Sequence, residues 1–340
     1  MPVVRRIMVS TVVAGALLSA VGCVGPRSVE WKSPAAQVIS DVAYAPAEPT
    51  GSLGHLMDVY LPANTSRPLP LIIWSGGTGW LTDDSKSTAR GVARMFNPRG
   101  YAVAGVNIRS SSQATFPAQL SDIKAAIRYL RANARRFHLD PQRFGIAGDS
   151  AAGWDAAMAA VTGGIPGLEG DVGVHGPSSR VQAAAAFYPP TDFLQIDSYI
   201  PGCRPADPHL IASHCMADPG SPTSLLLGCP IQSCPEVVAA ANPINYVDKN
   251  DPPLLLLHGQ EDSVVPWQQS VLLFDAVQRA SGRADLIVLP HGQHGQSEQF
   301  LTDPAVNAGA QLQSTTGGKQ PRDVQLTQDY FIAFFDRYLR

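Results

Sequence analysis

The segment Phe144–Ala160 reads FGIAGDSAAGWDAAMAA and decides the fold. It begins with Phe144–Ala147, a short apolar run typical of a buried strand, and the alanine-rich Ala151–Val161 predicts a helix. The turn between them carries Ser150 with small neighbours. A sharp strand-to-helix turn of this kind lifts a serine Oγ above the edge of a sheet, beside the free amides of a helix N-terminus. The sequence therefore predicts a nucleophile elbow at Ser150. The alternative is a serine in an ordinary turn.

The rest of the chain alternates strand-like and helix-like segments in the same manner. Apolar runs bounded by glycine or proline predict strands, and apolar residues at spacings of three and four predict amphipathic helices. This alternation indicates an α/β fold with a doubly wound, mostly parallel sheet in one domain over residues 41–340. The predicted strands are Leu56–Leu61, Leu69–Trp74, Tyr101–Ile108, Val181–Tyr188, Leu254–His258 and Leu286–Leu289, and the predicted helices are Ala118–Phe137, Trp267–Ala280 and Val324–Leu339.

Two segments interrupt this alternation. Residues from about 193 to 240 contain four cysteines and predict a cap inserted into the domain, and the polar stretch from about 302 to 322 predicts a surface loop. The amphipathic spacing of the helix over 118–137 predicts a solvent-exposed face. That face is expected to carry Arg128, Arg131, Arg135 and Arg136.

Composition excludes several classes of protein. The 25 Lys and Arg residues against 28 Asp and Glu residues give a net charge of −3, so no strongly basic surface is expected and nucleic acid is not a predicted partner. Hydrophobic residues make up 45% of the chain, which is enough for a large core, and the charged fraction of 16% argues against a disordered, self-repelling chain.

The N-terminal residues 1–22 have the pattern of a bacterial lipoprotein signal peptide. Arg5 and Arg6 precede the uncharged stretch Ile7–Val21, which is shorter than the ~20 apolar residues of a spanning helix. The sequence SAVGC ends at Cys23, where acylation would anchor an exported protein to the cell envelope. Residues 23–40 would then form a tether. The lipid on Cys23 would be the only membrane contact of the protein. An ordinary cleaved signal, and thus a secreted protein, is the alternative.

The remaining four cysteines, which lie between residues 203 and 234, support export. An even, clustered set in an exported chain predicts two disulfides, and three pairings of Cys203, Cys215, Cys229 and Cys234 are compatible with the sequence. A zinc site with the nearby His209 and His214 is the competing interpretation, although no CxxC pair is present. No metal or organic cofactor is predicted.

An acid and a base follow the serine in the order expected for a hydrolytic triad. Asp262 follows the apolar run that ends at His258, and His294 follows the next predicted strand. Both would therefore lie at the same edge of the sheet as Ser150, the edge at which open α/β sheets bind ligands. His294 is predicted to take the serine proton, with Asp262 fixing its tautomer. His291 is a rival base, and His258 is expected to be structural.

The glycine-rich turn Ser75–Trp80 follows another predicted strand and is expected to supply the oxyanion donors. Glycines allow backbone amides to approach a substrate oxygen closely. The candidate donors are the amides of Gly76, Gly77, Thr78 and Ala151. A phosphate-binding loop is the competing interpretation, but the P-loop lysine and the GxGxxG spacing are absent.

Together these motifs resemble the α/β-hydrolase superfamily, and most of all its hormone-sensitive-lipase-like and bacterial feruloyl-esterase-like (BD-FAE) branch. The resemblance covers residues 57–300 and rests on strings such as LIIWSGGTGW, YPPTDF and LPHGQHG. It implies a nucleophile at Ser150, an acid at Asp262 and a base at His294. This chain departs from the family by Ser75 in place of a histidine, Ala152 in place of the second elbow glycine, and an acidic Asp155 beside Trp154.

These features predict a serine carboxylesterase that hydrolyses small or short-acyl esters through an acyl-enzyme, with a small-molecule ester as its partner. An esterase of acylated carbohydrates or a peptidase-type hydrolase is the alternative within the same chemistry. A catalytically weakened lipoprotein that binds ligands through the cap is an alternative of another class. Labelling of Ser150 by a fluorophosphonate discriminates between an activated nucleophile and a binding protein.

Overall fold

The computed structural model describes residues 37–63, 65–203, 215–317 and 320–340. Within these ranges ten strands form a single sheet in the order β1-β2-β4-β3-β5-β6-β7-β8-β9-β10. Neighbouring strands from β4 through β3 to β8 are parallel, and the remaining pairs are antiparallel. The strands are β1 (Gln37–Ala43), β2 (Leu56–Leu61), β3 (Leu69–Ser75), β4 (Ala102–Val106), β5 (Leu139–Asp149), β6 (Ala183–Phe187), β7 (Leu254–Gly259), β8 (Ala284–Leu289), β9 (Gln311–Ser314) and β10 (Arg322–Asp323).

Helices cover both faces of this sheet, so the predicted doubly wound, mostly parallel architecture is confirmed. Aromatic side chains of α1 and α9 build a hydrophobic cluster on one face, and α3 packs on β5 and β6 from the other face with α2 beside it. The α-helices are α1 (Ala89–Phe96), α2 (Ala118–Ala132), α3 (Ala151–Thr162), α4 (Pro222–Leu227), α5 (Pro235–Ala241), α6 (Gln268–Arg279), α7 (Ser297–Thr302), α8 (Pro304–Asn307) and α9 (Gln328–Leu339).

Three details differ from the sequence-based expectations. Strand β1 begins at Gln37, so the last residues assigned to the tether over 23–40 belong to the sheet. The segment 302–322, expected to be a loop, contains α8 and β9, because β9 continues the sheet by antiparallel pairing with β8. On α2, Arg128 is buried rather than exposed and donates to the carbonyls of Val172, Val174 and Glu169.

The cysteine-containing segment lies between β6 and β7 and contains α4 and α5. Cys203 is bonded to Cys215, and Cys229 is bonded to Cys234, which selects one of the three pairings. Because the ligand for zinc is a thiolate, these four disulfide-bonded sulfurs are not zinc ligands. His209 and His214 lie outside the described residues, as does Cys23. The described helices include none that is both long and apolar enough to cross a bilayer.

The backbone is closely packed in the turn from β5 into α3. A Cβ added to Gly148 would lie 2.3 Å from the carbonyl oxygen of Ala152, and a Cβ added to Gly153 would lie 2.7 Å from the carbonyl oxygen of Phe187. The methyl group of Ala152 itself fits, because it faces Gly148, which has no side chain. The departure from the usual GxSxG pattern is therefore accommodated by the first glycine of the motif.

We expect Gly148→Ala to destabilise the protein. The added methyl group has to displace backbone of α3, and overpacking of this kind costs about 1–3 kcal/mol of unfolding free energy. Urea denaturation followed by circular dichroism measures this loss. Gly167→Ala is the matched control, since a Cβ there meets no atom within 4 Å. Equal stability of the two variants would contradict the proposed close packing.

Candidate active site

Ser150 occupies the elbow between β5 and α3 with φ 53° and ψ −123°. A non-glycine residue rarely adopts this conformation, and such strain is typical of functional turns. The amide of Ser150 donates to the carbonyl of Phe187, which fixes the turn on strand β6. The sheet therefore holds the serine side chain above its carboxyl edge, as the sequence predicts.

The structure brings together the three residues predicted to form a triad. Ser150 Oγ lies 2.9 Å from His294 Nε2, and His294 Nδ1 lies 2.8 Å from Asp262 Oδ2. The Asp262 side chain is fully buried, whereas one fifth of the His294 side chain is exposed. With its Nδ1 proton bonded to the carboxylate, the imidazole presents an unprotonated Nε2 to the serine, which is the arrangement that a general base requires.

Two loops in backbone contact position the acid and the base. A Cβ added to Gly259, at the end of β7, would lie 2.0 Å from the carbonyl oxygen of Gly292. The amide of Glu261 donates to this same carbonyl, and the amide of Gln260 donates to Leu289 at the end of β8. The parallel pairing of β7 with β8 therefore sets the separation of the loops that carry Asp262 and His294.

Asp262 is held in its ionised form. Burial alone would raise the pKa of this carboxyl group, but hydrogen bonds from His258 and His294 outweigh it and keep the pKa well below its usual range. Its Oδ1 accepts hydrogen bonds from the amides of Val264 and Val265. The ionised form of Asp262 is thus favoured where it faces His294 Nδ1.

The other two histidines of this edge have different surroundings. His291 is more than half exposed and lies 3.5 Å from Glu261, so the structure does not bring this rival base to the serine. His258 is buried, with its ring nitrogens 2.8 Å from Ser270 Oγ and 2.9 Å from the carbonyl oxygen of Val265. It therefore has the structural environment that the sequence predicted.

The glycine-rich turn lies against the nucleophile, but two of its amides are already engaged. The amide of Gly76 donates to the carbonyl of Ser85, and the amide of Gly77 donates to Asp149 Oδ1 at 2.7 Å. Gly76 and Gly77, both expected as oxyanion donors, thus have no free N–H. The amides of Thr78 and Ala151, the other two expected donors, bond to none of the described residues and are therefore free to donate. A Cβ on Gly77 would lie 2.7 Å from Ser150 Cβ, so only glycine fits there.

Ser75 stabilises this turn in place of the histidine that the family resemblance led us to expect. Its hydroxyl is buried and donates to the carbonyl of Val106, 3.1 Å away at the end of β4. Ser85 donates to the same carbonyl from the other side of the turn. Hydroxyl groups therefore connect the turn to the sheet, so the histidine is not needed for this purpose.

Asp149, the residue before the nucleophile, connects four segments and was not predicted to have a role. Its Oδ1 accepts from the amide of Gly77, and its Oδ2 accepts from Tyr188 Oη at 2.9 Å and from Ser297 Oγ at 3.2 Å. The Tyr188 ring also packs on His294 with ring centroids 4.7 Å apart. Burial and the nearby Asp149 charge raise the pKa of Tyr188, which keeps its hydroxyl a donor. Sequence spacing gives no signal for such contacts.

The cavity in front of the nucleophile is small. It has a volume of about 230 Å³ and is lined by Ser150, His294, the glycine-rich turn and the cap. The cap contributes Ile196, Met216 and Pro222, and the acid loop contributes Val264 and Val265. The walls are therefore largely apolar around the serine hydroxyl, and the cap decides the shape of the cavity.

Asp155 on α3 is a fully buried carboxyl group behind the elbow. Neither of its oxygens has a hydrogen-bond partner among the described residues. Burial raises the pKa of Asp155 well above its usual value, and the carboxylate of Asp122 on α2 raises it further. Burial without a hydrogen-bond partner among the described residues therefore disfavours the charged form of Asp155.

The comparisons with known proteins identify the family of this chain. The family model described as BD-FAE matches residues 57–277. The chain belongs to the BD-FAE family. Its sheet and helices are those of the α/β-hydrolase fold, as the sequence motifs predicted. The matched residues end before His294, so the family match does not cover this residue. Its place beside Ser150 is seen in the three-dimensional structure.

Several proteins that are similar to this chain are esterases by name. Esterase LipQ from Mycobacterium tuberculosis is 29% identical over 260 residues, which cover 75% of this chain and 56% of LipQ. A truncated form of a carbohydrate esterase from gut microbiota superposes with a TM-score of 0.72 at 30% identity, covering 91% of this chain and all of that one. An acetyl ester-xyloside bifunctional hydrolase from Caldicellulosiruptor lactoaceticus superposes at 0.57 with 25% identity, covering 72% and 81% of the two chains. This chain spans about half the length of the curated relatives it matches.

We expect the stability of Asp155→Asn relative to the natural protein to increase with pH. Because folding raises the pKa of Asp155, its contribution to stability is complete below the unfolded pKa and is lost as the pH rises towards the folded pKa. The asparagine side chain has nearly the same shape as that of aspartic acid and cannot ionise. Between pH 4.5 and 8, the unfolding free energy of Asp155→Asn should rise by about 1 kcal/mol or more relative to that of the natural protein, measured by urea denaturation. The exposed Asp171→Asn is the control; a parallel pH dependence in both variants would contradict a buried neutral Asp155.

Proposed function

We propose that this BD-FAE protein hydrolyses carboxylic esters through an acyl-enzyme on Ser150. The observation that carries the proposal is the continuous hydrogen-bonded chain from Ser150 Oγ through His294 to the buried Asp262. Among the described residues the amides of Thr78 and Ala151 have no hydrogen-bond partner, and Ala151 directly follows the nucleophile. A nucleophile, an oriented base and oxyanion donors are the three parts that acyl transfer requires.

The geometry supports the following sequence of steps. Ser150 Oγ attacks the ester carbonyl while its proton moves to His294 Nε2, and the oxyanion accepts hydrogen bonds from the amides of Thr78 and Ala151. The intermediate collapses when the bond to the alcohol oxygen breaks, and His294 donates its proton to that oxygen. Water then attacks the acyl-enzyme, gives its proton to His294, and the acid leaves as Ser150 recovers that proton.

The size of the catalytic cavity favours short acyl chains. At about 230 Å³ it lies below the range of about 300–1,000 Å³ that is common for small-molecule sites. A long acyl chain would have to displace cap residues such as Met216 and Pro222. Acetyl and propionyl esters are therefore the substrates that fit the described cavity best.

A carbohydrate ester is the more specific substrate class that we propose. The 30% identity to a carbohydrate esterase extends over nearly the whole described domain, and the acetyl ester-xyloside hydrolase shares the fold. A small acyl cavity suits an acetyl group on a sugar. The peptidase-type alternative has no comparable support among these relatives.

Labelling of Ser150 tests the nucleophile directly. A fluorophosphonate should form one adduct on Ser150 of the full chain, identified by peptide mass spectrometry, and Ser150→Ala should lose the adduct and reduce kcat/KM for p-nitrophenyl acetate by about 10⁴-fold or more. Ser66→Ala, at an exposed serine, should behave as the natural protein. A folded, unlabelled protein without hydrolysis above background would instead favour a ligand-binding lipoprotein.

Asp149→Asn should slow acylation without unfolding the protein. The amide group cannot accept all the hydrogen bonds that the carboxylate accepts, so the Gly77 segment loses its support. Loss of a hydrogen bond to a charged group corresponds to roughly a tenfold or larger fall in kcat/KM, with KM less affected. Tyr188→Phe removes one donor and keeps the ring, so a smaller fall is expected. Stopped-flow acylation and thermal unfolding distinguish this positioning effect from simple destabilisation.

We further propose that the protein is exported and anchored to the membrane through acylated Cys23. The pattern of residues 1–23 and the two disulfides support this, since disulfides persist in oxidising compartments. In a bacterial host, Cys23→Ala should lose incorporation of labelled palmitate and move from the detergent phase to the aqueous phase in Triton X-114 partitioning. An unchanged distribution would contradict the lipid anchor.

A further inference from the structure

A closed set of hydrogen bonds holds the loop that carries the triad acid. Asp262 Oδ1 accepts from the amide of Val265 at 2.8 Å, and the carbonyl oxygen of Val265 lies 2.9 Å from His258 Nε2. His258 belongs to β7, the strand from which this loop leaves. The loop is therefore bonded back to its own strand through one imidazole, and the position of Asp262 relative to the sheet depends on that ring.

The surroundings of His258 determine which of its nitrogens donates. A carbonyl oxygen can only accept, so the contact with Val265 requires a proton on Nε2. The other nitrogen, Nδ1, lies 2.8 Å from Ser270 Oγ, near the start of α6. With Nδ1 unprotonated, the serine hydroxyl donates to it, and both ring contacts are satisfied without burying a positive charge. His258 and Ser270 are fully buried, so water does not compete for these bonds.

The same ring also faces the carboxylate directly. His258 Nε2 lies 3.5 Å from Asp262 Oδ2, the oxygen that lies 2.8 Å from His294 Nδ1. Backbone amides bond to Oδ1 of this carboxylate, and two imidazoles lie next to its Oδ2. Rotation of the carboxylate away from His294 would therefore disturb contacts on both of its oxygens.

Tyr188 packs against both imidazoles. The centroid of its ring lies 4.7 Å from that of His294 and 6.3 Å from that of His258. The Tyr188 side chain is fully buried. The two histidines thus share a carboxylate and an aromatic neighbour, so a change in the orientation of one ring affects the packing of the other.

We propose that His258 is a positioning residue of the triad, which holds Asp262 in the orientation that His294 needs, and that Ser270 fixes the tautomer of His258. The proposal rests on acyl transfer by Ser150 and adds two residues to the apparatus that supports it. His258 does not touch the reacting atoms and acts through Asp262. A misaligned base slows proton transfer, so loss of His258 lowers the reactivity of Ser150 more than it weakens substrate binding.

Two replacements of His258 that differ in hydrogen-bonding capacity test this role. A leucine side chain cannot donate, whereas the amide of glutamine can donate to Val265 from about the position of Nε2. We expect His258→Leu to lower the second-order rate of fluorophosphonate labelling of Ser150 about tenfold or more. The kcat for p-nitrophenyl acetate should fall in parallel, with a smaller change in KM. His258→Gln should restore labelling to within about threefold of the natural rate.

Ser270→Ala is a milder variant that keeps the imidazole in place. It removes the donor to Nδ1, so a labelling rate about two- to fivefold lower is expected. Ser179→Ala is the matched control, because this serine is also buried, donates to Glu169 and does not line the catalytic cavity. Thermal unfolding measures the stability of each variant. The control should lose stability without losing labelling rate.

The other outcomes would overturn the proposal. A folded His258→Leu that is labelled as fast as the natural protein would do so, and so would His258→Gln labelled as slowly as His258→Leu, since the shape of the ring and not its donor would then matter. If His258→Leu does not fold, an unchanged rate in Ser270→Ala, or an equal loss in Ser179→Ala, overturns it. No adduct on Ser150 of the natural protein, together with no ester hydrolysis, would instead refute the proposed function itself.

Discussion

The rest of the active site depends on the close approach of β5 and α3 at Gly148. No Cβ fits between this residue and the carbonyl group of Ala152, so strand and helix meet in a turn that forces Ser150 to a positive φ. This turn is held by the amide of Ser150 on strand β6. Because the nucleophile is fixed by backbone packing, its side chain can point at His294 without support from other side chains.

Asp149 connects the elbow to the surrounding loops through hydrogen bonds. Its carboxylate accepts from the glycine-rich turn, from Tyr188 after β6 and from Ser297 on α7, so one charged group connects the oxyanion region with the segment that follows the base.

The side of the sheet behind the nucleophile contains buried polar groups that have a structural role. Asp122 accepts from Arg109 and contacts His55, so its charge is paired in the core. The neighbouring Asp155 has no hydrogen-bond partner among the described residues, and burial raises its pKa. Buried charges are tolerated when they are paired, and an unpaired carboxyl group avoids the cost by remaining neutral. The unusual acid beside the elbow is thus a feature of the core rather than of the reaction.

The sequence by itself determined the alternation of strands and helices, the elbow at Ser150 and the loops that carry Asp262 and His294, because these follow from local apolar patterns and from the order of residues along the chain. Only the tertiary structure decided which amides near the nucleophile are free, how the cysteines pair, and that Tyr188 and Ser297 meet Asp149. It also showed that Arg128 is buried. These properties depend on contacts between residues distant in the chain, for which the periodicity of a single segment contains no information.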